Sequence, residues 1–286
     1  MSTAAAPGSG KPAMNAKGGA KADAKRDLKI LMLHGYTQSG TLFRAKTGAL
    51  SKLLVKALSP APYSMTPQLI YPTGPHRLRP SDIPGFTPPE GKSLEDVEGE
   101  ATDNWAWFRR DEATGAYRGF EEGMARIAAT IAENGGVDGV IGFSQGGATA
   151  ALVAAALEPT RPLPETPDKE PDSWAGKLRA ANGGKGLRFA VVYSGFYARD
   201  DRLAWLYGGG GVQTPTLHFI GGLDTVVEEA RSRGLVERCA EGTSRVVVHP
   251  GGHYVPVSKE WTAALVMWLR EVLGGKTNGE AEGEKL

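Results

Sequence analysis

The chain has 286 residues, 41% hydrophobic and 23% charged, with a net charge of +1. That length gives one large domain or two small ones with a sizeable core, and the balanced charge excludes the basic footprint of a nucleic-acid or acidic-membrane binder. Cys239 is the single cysteine, which excludes a disulfide framework and a zinc–cysteine site and favours an intracellular setting.

Residues 1–26 carry lysines, small residues and almost no large apolar ones, with no apolar core of a secretory signal. Such a stretch buries too little surface to offset its chain entropy, so 1–26 is predicted to be a disordered tail, as is 275–286. Between them, "LKILMLHGY" (28–36) reads as a first strand, and 40–58 has apolar residues at helical spacing. "PQLIYPTGP" gives a second strand. "VDGVIGFSQGG" gives a third, running into the alanine-rich helix "ATAALVAAALE". "LRFAVVYSGF" (187–196), "TPTLHFIGGLD" (214–224) and "SRVVVHPGGH" (244–253) are the fourth to sixth, and a helix over 258–273 closes the domain.

These runs are continuously apolar rather than alternating, which marks a parallel sheet covered on both faces. The prediction is a single doubly wound, mostly parallel α/β domain over 27–274. Two long stretches rich in proline and glycine interrupt the rhythm. Residues 75–104 precede "WAWFRR" and are predicted to form a lid; 158–186 are predicted to be a surface insertion. No run is long and apolar enough to span a bilayer, so the expectation is a soluble protein, cytoplasmic or also nuclear.

In open α/β sheets ligands bind at the carboxyl ends of the strands. At the end of the third strand stands Gly142-Phe143-Ser144-Gln145-Gly146. This is the G-x-S-x-G pattern of a nucleophile elbow, where small neighbours let the helix pass close to the strand. The alternative is an ordinary glycine-rich turn. A nucleophilic serine needs a base and a group to orient it. His253, on the loop beyond the sixth strand, is preferred over His249 on the strand itself. His218 is expected in the core, and His34 beneath the loop after the first strand. Asp224 is the expected acid, with Asp200 and Asp201 as runners-up. The oxyanion hole is expected from the backbone N–H groups of Tyr36 and Gln145, with Gly35 turning the chain inward. Phe43, Trp105, Trp107 and Phe143 are candidate walls of an acyl pocket, with a place in the core as the alternative for each.

Taken together, "ILMLHGYTQSG", "W-x-W-F", "GFEEG", "GVIGFSQGG", "YSGF", "HFIGGLDTVV" and "HPGGHYVP" resemble the family of serine hydrolases, a branch of the α/β-hydrolases, over roughly 28–273. The resemblance assigns nucleophile, acid and base to Ser144, Asp224 and His253. It implies an α/β-hydrolase fold and a carboxylesterase or thioesterase without metal or cofactor. The implied substrate is a small acyl ester or thioester, delivered on the thioesterase reading by an acyl-carrier protein or coenzyme A. A peptidase would use the same constellation but needs a way to bind an extended chain, and the sequence shows no second domain for that. A non-catalytic binding protein on the same fold is the remaining rival. An imidazole base predicts activity that falls below about pH 6.5.

Overall fold

The computed structural model describes residues 1–3, 25–83, 85–99, 103–164 and 173–274. Most of the 1–26 tail and all of 275–286 therefore lie outside the described residues. Six strands, β1 (Arg26–Leu33), β2 (Met65–Ile70), β3 (Gly139–Phe143), β4 (Phe189–Tyr193), β5 (Thr216–Gly221) and β6 (Ser244–His249), form one sheet in the order β6-β5-β4-β3-β1-β2. Every pairing in it is parallel.

The continuous apolar runs are explained by the two cores. Along β1, Leu28, Ile30 and Met32 face one layer, while Leu31 and Leu33 face the other. The first layer is completed by α1 (Gly40–Lys46), α2 (Gly48–Leu58) and the closing helix, and the second by helices over 120–133, 145–157 and 174–181. A strand buried on both sides has no polar face to show, which is why its sequence does not alternate.

Helix formation follows the same logic. The predicted helix over 40–58 is two helices, because Thr47 between them leaves the helical region (φ −106°, ψ 11°) and turns its hydroxyl back to the Phe43 carbonyl oxygen at 2.7 Å. Helix α3 (Phe120–Glu133) puts Met124, Ile127, Ala128 and Ile131 on one buried stripe. Helix α4 (Gln145–Leu157) is buried at every one of its 13 positions. Alanine has the highest helix propensity and the smallest side chain above glycine, so this segment holds its helix while wedged against the sheet. Helices α5 (Trp174–Ala181), α6 (Glu229–Val236) and α7 (Lys259–Gly274) complete the layers.

The two irregular stretches are partly folded. In 75–104, His76–Arg77 pairs antiparallel with Trp105–Ala106, and a short helix over Leu94–Glu98 is capped at both ends of its first turn by Ser93 and Asp96. In 158–186, Ala175 and Leu178 of α5 are buried. Arg161 forms a buried pair with Glu158 at 2.6 Å, and also donates to the Gly208 and Gly211 carbonyl oxygens at 2.8 and 2.7 Å. Among the described residues no helix is long and apolar enough to cross a membrane.

Candidate active site

Ser144 sits where β3 becomes α4, and the turn is sharp. Its φ of 55° and ψ of −117° lie in a region that a side chain adopts only at a cost of about 1–3 kcal/mol. Two hydrogen bonds pin it there: its N–H donates to the Tyr193 carbonyl oxygen at 2.8 Å, and its own carbonyl accepts the Ala148 N–H at 3.0 Å. The flanking glycines are a steric necessity. A Cβ on Gly142 would lie 2.0 Å from the Gly146 carbonyl oxygen, and one on Gly146 would lie 2.1 Å from that of Leu33. The glycines thus let β1, β3 and α4 converge under the serine.

The loops after β5 and β6 bring the other two residues to it. Asp224 Oδ2 accepts the Nδ1–H of His253 at 2.7 Å, and His253 Nε2 accepts the Ser144 hydroxyl at 2.9 Å. The Asp224 side chain is 1% exposed and that of His253 17%, so the carboxylate is shut away from water while the imidazole edge remains open to a ligand. Burial alone would raise the Asp224 pKa. Hydrogen bonds from His253 and from the Val227 N–H outweigh it and hold the carboxyl below the usual carboxylate range. An ionised Asp224 fixes the proton on Nδ1, which leaves Nε2 as the acceptor facing Ser144. The Val226 N–H donates to the same Asp224 Oδ1 at 3.0 Å, so a short turn orients the carboxylate.

The other candidate residues have partners elsewhere. His249 is buried on β6, where its Nδ1 accepts the Gly251 N–H at 3.2 Å and burial lowers its pKa. Asp200 is held by Arg202 at 2.6 Å and accepts the Tyr117 N–H, and the Arg202 hydrogen bond takes its carboxyl down to about 2. His218 lies in the core, with burial lowering its pKa to about 4. His34 supports the loop after β1: its Nε2 accepts the Gly74 N–H at 2.9 Å and its Nδ1–H donates to the Gly35 carbonyl oxygen at 2.8 Å.

That loop carries Tyr36. Its one residue with positive φ is Thr37 (64°) rather than Gly35, and the Thr37 N–H donates to the Trp105 carbonyl oxygen at 3.0 Å. Gly35 is needed for space instead, since a Cβ there would touch the Phe143 ring at 3.0 Å. Among the described residues neither the Tyr36 nor the Gln145 N–H has a protein acceptor. For Gln145 this is the ordinary state of a first-turn helix donor. Its side chain is occupied: Oε1 accepts the Trp107 N–H and Nε2 donates to the Phe108 carbonyl oxygen, both at 2.8 Å.

Two cavities meet at Ser144. The smaller, about 410 Å³, is walled by Tyr36, Phe43, Phe143, Tyr254 and Val255, with His253 at its base. The larger, about 760 Å³, runs past Gln145 toward Ser81, Asp82, Phe196 and several arginines. Of the four aromatic residues expected as pocket walls, Phe43 and Phe143 line the smaller cavity. Trp107 does not: it is 1% exposed, and its indole N–H donates to the His34 carbonyl oxygen at 2.9 Å, so it is a core residue that braces the loop. Trp105 lies beside the site, its indole N–H on Asp103 and Arg77 over its ring. Its main chain, rather than its ring, reaches the Tyr36 loop. Sequence reasoning missed Tyr254 and Val255, which directly follow His253 and share its loop, and the arginines, which lie on three separate segments.

The chain matches the family model described as "Serine hydrolase (FSH1)" over residues 24–265. It is 30% identical over 245 residues to "Family of serine hydrolases 2" of Saccharomyces cerevisiae, covering 85% of this chain and 98% of that one. It is 31% identical over 257 residues to human "Esterase OVCA2", covering 86% and 97%. Among solved structures it is similar to Zea mays acyl-protein thioesterase 2, with a TM-score of 0.52, 21% identity, and coverage of 89% and 97%. That likeness concerns the fold, which is the α/β-hydrolase fold. The chain belongs to the FSH1 serine hydrolase family.

Proposed function

We propose that this protein hydrolyses carboxylic esters of short to medium acyl chains through an acyl-enzyme on Ser144. The observation that carries the reading is His253, hydrogen-bonded at once to Asp224 at 2.7 Å and to Ser144 at 2.9 Å. Ser144 Oγ attacks the carbonyl carbon while its proton passes to His253 Nε2. Negative charge collects on the carbonyl oxygen, which the N–H groups of Tyr36 and Gln145 receive; that neither has a protein acceptor among the described residues supports this role. Donors of this kind are worth about 2.7–4 kcal/mol each at the transition state. The tetrahedral intermediate then breaks its bond to the leaving oxygen, which takes the proton from Nε2. Water, deprotonated by the same nitrogen, attacks the acyl-enzyme and restores Ser144. Asp224 holds the tautomer throughout and stabilises the imidazolium.

A thioester would use the same residues with a thiol as leaving group. The test is fluorophosphonate labelling of wild type and Ser144→Ala, with hydrolysis of p-nitrophenyl esters from acetate to decanoate and of matched thioesters alongside. Labelling that disappears in the variant, with turnover of the oxygen esters, is the expected result. A folded wild type that is never labelled overturns the reading. Labelling with turnover of thioesters alone replaces the ester by the thioester.

A further inference from the structure

The larger cavity at Ser144 carries an excess of positive charge. Four arginines line it, Arg109, Arg110, Arg199 and Arg231, against two carboxylates, Asp82 and Glu112. Arg109 is neutralised by Asp82, which accepts from both its terminal nitrogens at 3.0 Å. Arg110 approaches Glu112 only to 4.0 Å, and that carboxylate is 87% exposed. Among the described residues Arg199 and Arg231 have no carboxylate within salt-bridge distance. They are not left loose, however. The Arg231 guanidinium lies 4.8 Å above the Phe196 ring and donates to the Val226 carbonyl oxygen at 3.3 Å, while Arg199 lies 5.4 Å above Tyr197. An aromatic face orients a guanidinium without cancelling its charge, so its free N–H groups remain available to an anion.

The direction of the substrate follows from His253. The leaving atom must reach Nε2 to take its proton, and His253 lines the smaller cavity and not the larger. The leaving group therefore occupies the smaller cavity, so that Phe43 and Phe143 face it rather than the acyl chain, and the acyl chain runs past Gln145 into the larger one. Resting on the hydrolase reading above, we infer that Arg199 and Arg231 form an anion subsite for the far end of the acyl chain. The preferred substrates are then esters or thioesters whose acyl chain ends in a carboxylate, the half-esters of dicarboxylic acids. Guanidinium binds carboxylate in a fixed, bidentate geometry, which supplies selectivity as well as attraction.

The experiment compares kcat/KM for the mono-p-nitrophenyl ester of adipic acid with that for p-nitrophenyl hexanoate. The two share a chain length and differ at the terminal carboxylate. Wild type, Arg199→Gln, Arg231→Gln and the double variant are assayed at low and high salt, with circular dichroism to check folding. The expected result is a preference for the anionic ester that drops about tenfold or more in the double variant, the change that one charge-assisted contact produces. Salt weakens the preference in wild type, because Arg199 is exposed and its field is screened. Arg231→Glu moves the preference to an ester whose acyl chain ends in an amine. The exposed Arg199 variant supplies the readout if substitutions at Arg231 fail to fold. A ratio that is equal in wild type and folded variants overturns the subsite, as does a wild type that favours the neutral ester. An enzyme that hydrolyses neither ester and takes no fluorophosphonate label instead overturns the hydrolase reading.

Discussion

The side chain of Gln145 is joined to the backbone of Trp107 and Phe108, accepting from one and donating to the other at 2.8 Å. The residue after Ser144 thus ties the start of α4 to the segment that supports the Tyr36 loop. Replacing Gln145 by Ala leaves a buried N–H and a buried carbonyl oxygen unpaired, which costs about 1–3 kcal/mol for each group left without a partner. Urea unfolding of Gln145→Ala is expected to show that loss, with kcat for p-nitrophenyl esters falling as well. Stability unchanged from wild type would mean that the 107–108 segment is held by other contacts.

Gly146→Ala tests the convergence of β1 and α4. Its Cβ would fall 2.1 and 2.4 Å from the Leu33 and His34 carbonyl oxygens, and backbone atoms cannot rotate aside. The end of β1 must shift, carrying the Tyr36 loop with it. Overpacking of this kind costs about 1–3 kcal/mol, occasionally more. The expected outcome is a lowered melting temperature together with slower fluorophosphonate labelling. A variant with wild-type melting and labelling would show that the elbow has slack.

Asp224→Asn removes the acceptor that fixes the His253 tautomer. In a triad this lowers kcat by about 10⁴ while leaving binding nearly intact, so the loss should appear in kcat rather than KM. The Asp224 carboxyl is held below the usual carboxylate range, so it stays ionised where an imidazole takes up its proton. The acid limb of kcat/KM should therefore fall with unit slope, one proton for one imidazole. A slope of two would show that Asp224 titrates with it.

Stability has a separate pH dependence. Burial lowers the pKa values of His34 and His218 to about 4, while in the unfolded chain an imidazole titrates near 6.5. Between those values the unfolded chain binds protons that the native protein refuses. Stability is therefore full above about pH 6.5 and declines as pH falls toward 4, by about 1.4 kcal/mol per pH unit for each histidine. His249, also lowered by burial, acts in the same direction. Urea midpoints measured at about pH 7 and pH 5 should separate clearly. Equal midpoints would mean that these imidazoles accept protons without unfolding.

Much of this was legible in the sequence because it is local. A strand buried on both faces shows as an unbroken apolar run, and Ser144, Asp224 and His253 each stand just past the end of one. The misses are of two kinds. Helix α3 was legible but unread, since Met124, Ile127, Ala128 and Ile131 keep helical spacing. The Glu158–Arg161 pair was not legible. A charged residue in a proline-rich stretch reads as solvated, and only the fold supplies the Gly208, Gly211, Gln213 and Thr214 backbone groups that take these two charges out of water. For Trp107 the sequence left wall and core both open, and the structure gives the core, because a large aromatic ring has the same composition signal in either place.

Helix α4, buried at all 13 positions, has no side that tolerates water. It cannot persist before both layers around it are in place, and β3 that leads into it needs β1 from one part of the chain and β4 from another. The unusual backbone angles of the serine at its head thus depend on contacts distant in sequence, such as its N–H bond to the Tyr193 carbonyl oxygen. A nicked or partly assembled chain should hold no half-active centre. Fluorophosphonate labelling of Ser144, on the reading proposed above, is accordingly a reporter of cooperative folding: it is expected when the whole domain has closed, and not otherwise.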